Sequence, residues 1–200
     1  MSVEIDVRPV GPADIDDLAD LFERDRNTRH CWCTAFCTTG RQFAAGWFGG
    51  GNRRRFAALA AASEHPMGVL ALLDGEPVGW CACGPRSRYT AAISGRSRLL
   101  QTRPRQDDDQ VWLIACLFVD ARHRGRGISH SLIAAAVAQA RRAEALAVEA
   151  WPLSSSATRP ADLFLGREEA FQAQGFTCVD RPNPRRSIMR LDLRPGDRSG

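Results

Sequence analysis

Four arginine or histidine side chains and two glycines lie within the ten residues DARHRGRGIS at 120–129. This composition fits a solvated basic run, a nucleic-acid patch or a loop that holds a phosphate group. A turn that opens a helix has free backbone N–H groups, and the helix dipole favours negative charge there. Gly125 and Gly127 allow a positive φ and a close approach to a ligand, while Arg124 and Arg126 add positive charge. The stretch therefore predicts phosphate binding, with a plain solvated turn as the alternative.

The flanking segments predict that this loop joins a buried strand to a helix. The run VWLIACLFV at 111–119 is rich in bulky and β-branched side chains, which is typical of a strand buried on both faces. The segment SHSLIAAAVAQARRAEA places an apolar stripe at helical spacing, with Ser129 as the expected N-cap and two arginines in its last turn. The loop is thus expected at the carboxyl end of a strand and the amino end of a helix.

The remaining elements predict one mixed α/β domain over residues 1–193 and a flexible tail at 194–200. In chain order the pattern is β-α-α-β-β-β-α-β-α-β-β, with a hairpin turn expected at Asp74-Gly75. Residues 85–109 are polar and irregular, and they are expected to form a loop with one short helix. The later segment LFLGREEAFQAQ is predicted to be a helix.

Composition restricts the class of protein. The chain has 200 residues, of which 44% are hydrophobic and 25% charged, as in globular proteins. The net charge of +4 suits small anionic ligands and falls short of a dedicated DNA-binding protein. All 27 residues of the Lys+Arg count are arginine, which excludes a Walker phosphate loop and a Schiff-base lysine. Without a long apolar run or a secretory signal, the chain is expected to be cytoplasmic, with no membrane or nucleic-acid partner.

The segment LFVDARHRGRGISHSLI, together with the later FQAQGF, resembles the GNAT superfamily of acetyl-CoA-dependent N-acetyltransferases. That family has a strand ending in valine, a short link and the pattern [Q/R]-x-x-G-x-[G/A] at the start of a long helix. Two registers fit, one from Arg122 and one from Arg124, and the spacing from Val119 favours the second. In that register Ala121 replaces the usual proline and Ser129 the final small residue. A dinucleotide-binding loop is disfavoured because the third glycine of G-x-G-x-x-G is missing.

The resemblance implies a single-domain α/β fold of the GNAT type, in which helices flank a mixed, mostly antiparallel central sheet whose central strands splay apart. It implies that acetyl-CoA enters between the strands at 111–119 and 146–151. The end of the first strand would pair with the pantetheine arm, and backbone N–H groups of the loop would hold the pyrophosphate. The residues implied in binding are Leu117, Phe118, Val119, Arg124, Gly125, Arg126, Gly127, Ile128, Ser129 and His130.

Acyl transfer to an amine needs a base for the amine proton, a donor that polarises the carbonyl and a proton for the leaving thiolate. Glu149, an acid in an apolar strand beside the expected cleft, is the first candidate base, and Asp109 is the second. A strand-end glutamate facing water is the alternative for Glu149. The resemblance implies a tyrosine proton donor four residues before the late GF, but Phe171 stands there. The single tyrosine, Tyr89, is far away in sequence.

Seven cysteines in a chain without a secretory signal are expected to be reduced thiols. The segment HCWCTAFC at 30–37 could form a metal site together with Cys81 and Cys83. C-x-C-x₃-C is not a standard zinc spacing, however, so packing of these small side chains around aromatic rings is favoured and no metal is expected.

The resemblance implies an enzyme that transfers the acetyl group of acetyl-CoA directly to a primary amine, with a small molecule as the expected acceptor. The resemblance implies Trp32, Trp47 and Trp80 as walls of the acceptor pocket, with core packing as the alternative for each. Two other functions stay open: an acyl-CoA-binding protein with weak catalysis, to which Phe171 points, and a cysteine-rich metal or redox-sensing module. Assembly into a homodimer is also left open.

Overall fold

The structure is a computed structural model that describes residues 5–94, 102–154 and 164–193; the predicted tail at 194–200 lies outside them. In these residues seven strands form one sheet in the order β1-β2-β3-β4-β5-β7-β6. Neighbouring strands are antiparallel except β4 and β5, which are parallel. The strands are β1 (Ile5–Pro9), β2 (Gly68–Leu73), β3 (Glu76–Pro85), β4 (Val111–Val119), β5 (Ala147–Ala150), β6 (Thr177–Asn183) and β7 (Arg186–Asp192).

Helices flank this mixed, mostly antiparallel sheet, which confirms the predicted α/β class. None of the described helices is long and apolar enough to cross a bilayer. The helices are α1 (Ile15–Phe22), α2 (Thr28–Cys31), α3 (Gly40–Ala45), α4 (Gly51–Ala62), α5 (Thr90–Ser94), α6 (Ile128–Arg142) and α7 (Glu168–Gln172).

Two helices begin at positions that differ from the prediction. α6 begins at Ile128 because Gly127, with φ +80°, is its N-cap, so Ser129 lies inside the first turn instead of capping it. α7 is shorter than the predicted helix because Gly166 adopts a left-handed conformation with φ +72° just before it. Its first residue is Glu168. In both places a glycine in the left-handed region decides where the helix begins.

The sheet separates two layers of apolar packing. α6 covers one face, where Leu132 and Ile133 pack with strand residues, and Phe171 of α7 joins that layer. Phe22 and Phe56 pack on the other face. A smaller group, called the splay cluster here, contains residues of β4 and β7 and the residue after β5. It lies on this second face, because Leu113 alternates along β4 with neighbours that face α6. The splay cluster consists of Tyr89, Ala92, Ile93, Leu113, Ala115, Trp151 and Ile188.

β4 and β5 separate after only a short stretch of pairing. Their register runs from Val111 opposite Ala147 to Ile114 opposite Ala150, where β5 ends. β4 continues to Val119 without a strand neighbour on that side among the described residues. The result is an open wedge between the two strands, which is the predicted splay, and the loop after β4 lies at its mouth.

Candidate active site

The loop between β4 and α6 is built around two glycines in left-handed conformations. Gly125 has φ +77° and Gly127 has φ +80°. A side chain at either position would strain the backbone. A Cβ at either position would meet no protein atom within 4 Å, so the space above the loop is open. The two glycines therefore set the course of the backbone and leave room for a ligand.

Backbone N–H groups form a row of free donors at the start of α6. Within the described residues, the N–H groups of residues 124–129 donate to no protein acceptor. The N–H of His130 donates to the Gly127 carbonyl at 2.9 Å, so it belongs to the helix and not to the predicted row. Free N–H groups at the positive end of a helix dipole attract anions. The geometry is that of an anion site.

Asp120 anchors the beginning of this loop. Asp120 is 5% exposed, and its carboxylate lies 2.7 Å from the Arg122 guanidinium and 3.5 Å from that of Arg24. Both arginines also pair with Glu76, at 3.3 and 2.9 Å. Hydrogen bonds from Arg122 lower the pKa of Asp120 to about 2, so the carboxylate is charged at neutral pH. Arg122 is thus committed to holding the loop against the β2–β3 hairpin.

Arg124 and Arg126 form fewer contacts with the described residues than Arg122 does. Arg124 donates from Nε to the Val119 carbonyl at 3.3 Å, which leaves its terminal nitrogens available. Arg126 is exposed and forms no ion pair with the described residues. Two cationic side chains therefore flank the free N–H groups, and an anion bound there would meet both.

A β-bulge interrupts β4 beside the wedge. Ala82 pairs with Cys116 and Cys83 pairs with Ile114, so Ala115 has no partner on β3. A bulge leaves its extra residue outside the ladder. Ala115 is also the first β4 residue beyond the pairing with β5. Ala115 therefore lies at the point where the wedge opens, and a free backbone N–H at such a point can polarise a carbonyl.

The predicted pantetheine-binding residues lie along the same part of β4. Phe118 stacks on Phe164 with ring centroids 5.8 Å apart. The Leu117 side chain lies so close to Gly166 that a Cβ there would be 2.9 Å from it. Val119 is the last residue of the strand. These contacts place the segment at 164–166 beside the free part of β4.

Glu149 is fully buried and bound by three arginines. Its Oε1 accepts hydrogen bonds from Arg103 at 2.9 and 2.7 Å and from Arg190 at 3.0 Å, and its Oε2 accepts one from Arg86 at 2.9 Å. A carboxylate has about four acceptor positions, so these bonds occupy its capacity. Glu149 ties β5 to β7 and to the segment before β4. The expected role as a base finds no support in this geometry.

Asp109 lies at the other end of β4 from the loop. It is exposed and lines a surface pocket of about 570 Å³ together with Glu64, His65 and Arg88. The structure therefore brings Asp109 to a pocket, but not to the N–H row.

Two of the three predicted pocket tryptophans are core residues. Trp80 is fully buried and Trp32 is 4% exposed. Both pack against Phe22, with ring centroids 6.2 and 5.3 Å apart. This packing agrees with the alternative of core residues for Trp32 and Trp80. Trp47 is half-buried, and its ring centroid lies 5.4 Å from that of His30.

The cysteines are free thiols, and most are held in the protein interior. Cys33, Cys81 and Cys116 are buried. Burial raises the pKa of the Cys31 and Cys37 thiols to about 12, so both stay protonated. A metal binds the thiolate. Among the described residues, no group of three His, Cys, Asp or Glu side chains could hold a metal ion.

Phe171 is fully buried, and its ring centroid lies 5.4 Å from that of Phe176 on the α6 face. On the opposite face, Tyr89 packs in the splay cluster with Ala115 and Trp151. The hydroxyl of Tyr89 is buried, and no described residue forms a hydrogen bond with it. The sequence does not indicate that Tyr89 lies near Ala115, because the two residues come together only when the segment after β3 folds back onto β4.

Comparison with known proteins places this geometry in a family. Residues 14–159 match the Acetyltransferase (GNAT) family. No curated protein shows significant similarity to the sequence.

Solved structures share the fold at low sequence identity. Ribosomal-protein-alanine N-acetyltransferase from Brucella melitensis is 19% identical over 94% of this chain and 99% of its own, with a TM-score of 0.55. The protein yncA from Salmonella typhimurium, solved with its cofactor acetyl-CoA, is 14% identical over 98% of both chains, with a TM-score of 0.57. The paia N-acetyltransferase from Thermoplasma acidophilum, in complex with coenzyme A, is 11% identical over 95% and 99%, with a TM-score of 0.55. These likenesses show the fold, and the family match over residues 14–159 shows that the chain belongs to the GNAT acetyltransferase family.

Proposed function

We propose that this protein transfers the acetyl group of acetyl-CoA directly to a primary amine of a small molecule. The observation that carries the proposal is the row of free N–H groups at the start of α6, at the mouth of the wedge. A pyrophosphate bound there would accept hydrogen bonds from several of them and meet two arginines. The proposed residues are Arg124, Gly125, Arg126, Gly127, Ile128 and Ser129.

The free part of β4 suits the amide groups of a pantetheine arm. An extended chain can add to a strand that has no neighbour, because the strand's unpaired backbone groups are available to it. Leu117, Phe118 and Val119 would hold the arm in this way and direct the thioester toward Ala115. The backbone N–H of Ala115 would then polarise the thioester carbonyl and stabilise the oxyanion that forms when the amine attacks.

The amine proton requires an acceptor other than Glu149, whose oxygens are taken by arginines. Water carries this proton away in the proposed reaction. Asp109 is proposed to attract the cationic amine, because it lines the same pocket as Glu64. Pro85 lines that pocket too and pairs with Trp112 of β4.

The size and position of this pocket support a small acceptor. Its volume of about 570 Å³ is within the usual range for small-molecule sites. Trp112 lies three residues before Ala115, roughly 10 Å along a strand. A small amine could therefore extend from the two carboxylates toward the thioester.

An acetyl-transfer assay tests the proposal. The full chain is incubated with acetyl-CoA and a panel of small primary amines, with peptides bearing a free N-terminus as a second class of acceptor. Released thiol and acetylated product are measured together. We expect thiol release that depends on a small amine and an acetylated product to match. Saturable binding of acetyl-CoA without product from any amine would instead indicate a non-catalytic acyl-CoA-binding protein.

A further inference from the structure

Two buried hydrogen-bond donors of the splay cluster have no acceptor among the described residues. The Tyr89 hydroxyl and the Trp151 Nε1 are both unpartnered, in residues that are 1% and 0% exposed. An unsatisfied buried polar group costs roughly 1–3 kcal/mol. Folded proteins keep few such groups, and each calls for an explanation. Two of them in one small cluster indicate a ligand that accepts hydrogen bonds.

Both donors belong to the cluster at the point where the wedge opens. The pairing of β4 with β5 ends at Ile114 and Ala150. The first residues beyond it are Ala115, within β4, and Trp151, directly after β5. Tyr89 packs in the same cluster as both. A thioester whose carbonyl is bound at the Ala115 bulge would lie beside this cluster.

Tyr89 and Phe171 approach the wedge from opposite faces of the sheet. Phe171 belongs to the apolar layer under α6, whereas Tyr89 belongs to the splay cluster. A group held between two splayed strands lies in the plane of the sheet and can be reached from either face. The hydroxyl missing at Phe171 can therefore be supplied from the other side by Tyr89.

We propose that Tyr89 is the catalytic residue that protonates the leaving thiolate of coenzyme A. This inference rests on the proposed acetyl transfer. After the amine nitrogen has bonded to the thioester carbon, the C–S bond breaks and its electron pair stays on sulfur. The hydroxyl proton of Tyr89 moves to that sulfur, so coenzyme A leaves as a free thiol. Tyr89 regains a proton from water, and water accepts the proton released by the amine nitrogen.

The buried environment of Tyr89 keeps its hydroxyl protonated, as a proton donor requires. Burial raises the pKa of its hydroxyl well above the ordinary value of 10, so the phenol stays protonated across the neutral range. Trp151 is a donor only, and it would hold the sulfur or the carbonyl in place by a hydrogen bond.

A fluorine label at Tyr89 tests its contact with the sulfur without any acceptor. Tyr89 is the single tyrosine of the 200 residues, so protein grown with 3-fluorotyrosine gives one ¹⁹F resonance. The labelled protein is titrated with coenzyme A and with desulfo-coenzyme A, which lacks the thiol, while calorimetry measures the binding of each. We expect both to bind and the thiol-bearing ligand to shift the resonance clearly further.

The Tyr89→Phe variant tests the proton transfer. General acid catalysis contributes about 10²–10⁴-fold, so kcat is expected to fall by at least about 100-fold while the KM for acetyl-CoA stays within about twofold. The melting temperature of the free protein should not fall, because the hydroxyl removed has no partner. A fall in kcat with an unchanged melting temperature shows that the variant has lost a proton donor and has kept its folded structure.

The outcomes distinguish the two proposals. If coenzyme A does not bind, the proposed acetyl transfer is wrong and the role of Tyr89 is wrong with it. If coenzyme A binds but both ligands shift the resonance equally, or if Tyr89→Phe retains its kcat, acetyl transfer stands and Tyr89 is not the proton donor.

Discussion

Two neighbouring arginines of the loop have different partners, and this difference separates their functions. Arg122 forms ion pairs with Asp120 and Glu76, whereas the Arg124 side chain bonds, among the described residues, only the Val119 carbonyl. We expect Arg124→Ala to weaken coenzyme A binding by about tenfold, the size of one charge-assisted hydrogen bond. Arg122→Ala, the matched control, should leave the dissociation constant within about twofold and lower the melting temperature instead. Isothermal titration calorimetry measures both, and equal losses of affinity would show that the register from Arg124 is wrong.

We expect Glu149 to stabilise the folded protein and to take no part in the chemical step. Glu149→Gln leaves three buried or half-buried arginines without their shared carboxylate, and breaking a buried ion pair costs about 3–5 kcal/mol. The melting temperature should fall by roughly 10 °C for a chain of this size. Asp192→Asn is the control, because it removes an exposed carboxylate from one of the same arginines, Arg190, and should change little.

A pH-rate profile separates stability from catalysis at Glu149. Glu149→Gln that folds at low temperature should keep the wild-type pH dependence of kcat. If the variant no longer shows the fall of kcat at low pH, and its melting temperature is unchanged, Glu149 is the base after all.

Contacts between residues far apart in the chain mark the limit of what the sequence could predict. Arg86 and Glu149 are 63 positions apart, and nothing local in either segment shows that one neutralises the other. Tyr89 reaches Ala115 only through the fold. The phosphate-binding loop could be found because its glycines, its helix start and its preceding strand are contiguous.

At the scale of elements, turn residues and apolar runs in the sequence predict the positions of a strand and a turn correctly. β4 has the predicted limits, 111–119, because an unbroken apolar run bounded by charged residues leaves little freedom in its ends. The hairpin turn falls at Asp74 and Gly75, both with positive φ, as a tight antiparallel turn requires. The helix boundaries at Gly127 and Gly166 were less predictable, because a glycine can continue a helix or break it and only the surrounding packing decides.

We expect the loop between β4 and α6 to lose its affinity for coenzyme A when Gly127 gains a side chain. Gly127→Val puts a β-branched residue at φ +80°, where a Cβ meets no protein atom and would occupy the space proposed for the pyrophosphate. Coenzyme A binding should fall at least about 100-fold, since both the ligand's space and its N–H donors are disturbed.

Gly75→Val is the matched control for that element. Gly75 has φ +81° and also meets nothing within 4 Å, but it lies in the β2–β3 turn. The two variants should lose similar stability, and only Gly127→Val should lose coenzyme A binding. Equal binding by both would show that the loop is an ordinary turn.

At the scale of the whole molecule, the cysteines are expected to stabilise the fold by packing and to hold no metal. A strong chelator should leave the melting temperature unchanged, because buried protonated thiols are poor ligands. Elemental analysis of the purified protein should find no stoichiometric zinc. A chelator-dependent drop in melting temperature would support the metal-module alternative.

We infer that the row of free N–H groups at the start of α6 and the open wedge together bind acetyl-CoA, and direct titration tests this inference. Calorimetry of the full chain with acetyl-CoA should give saturable binding of one ligand per chain. A ligand at about 100 times its Kd stabilises by about 2.7 kcal/mol, so the melting temperature should rise by roughly 5–10 °C. If no coenzyme A ester binds or stabilises the protein at millimolar concentration, the loop and the wedge do not form an acetyl-CoA site.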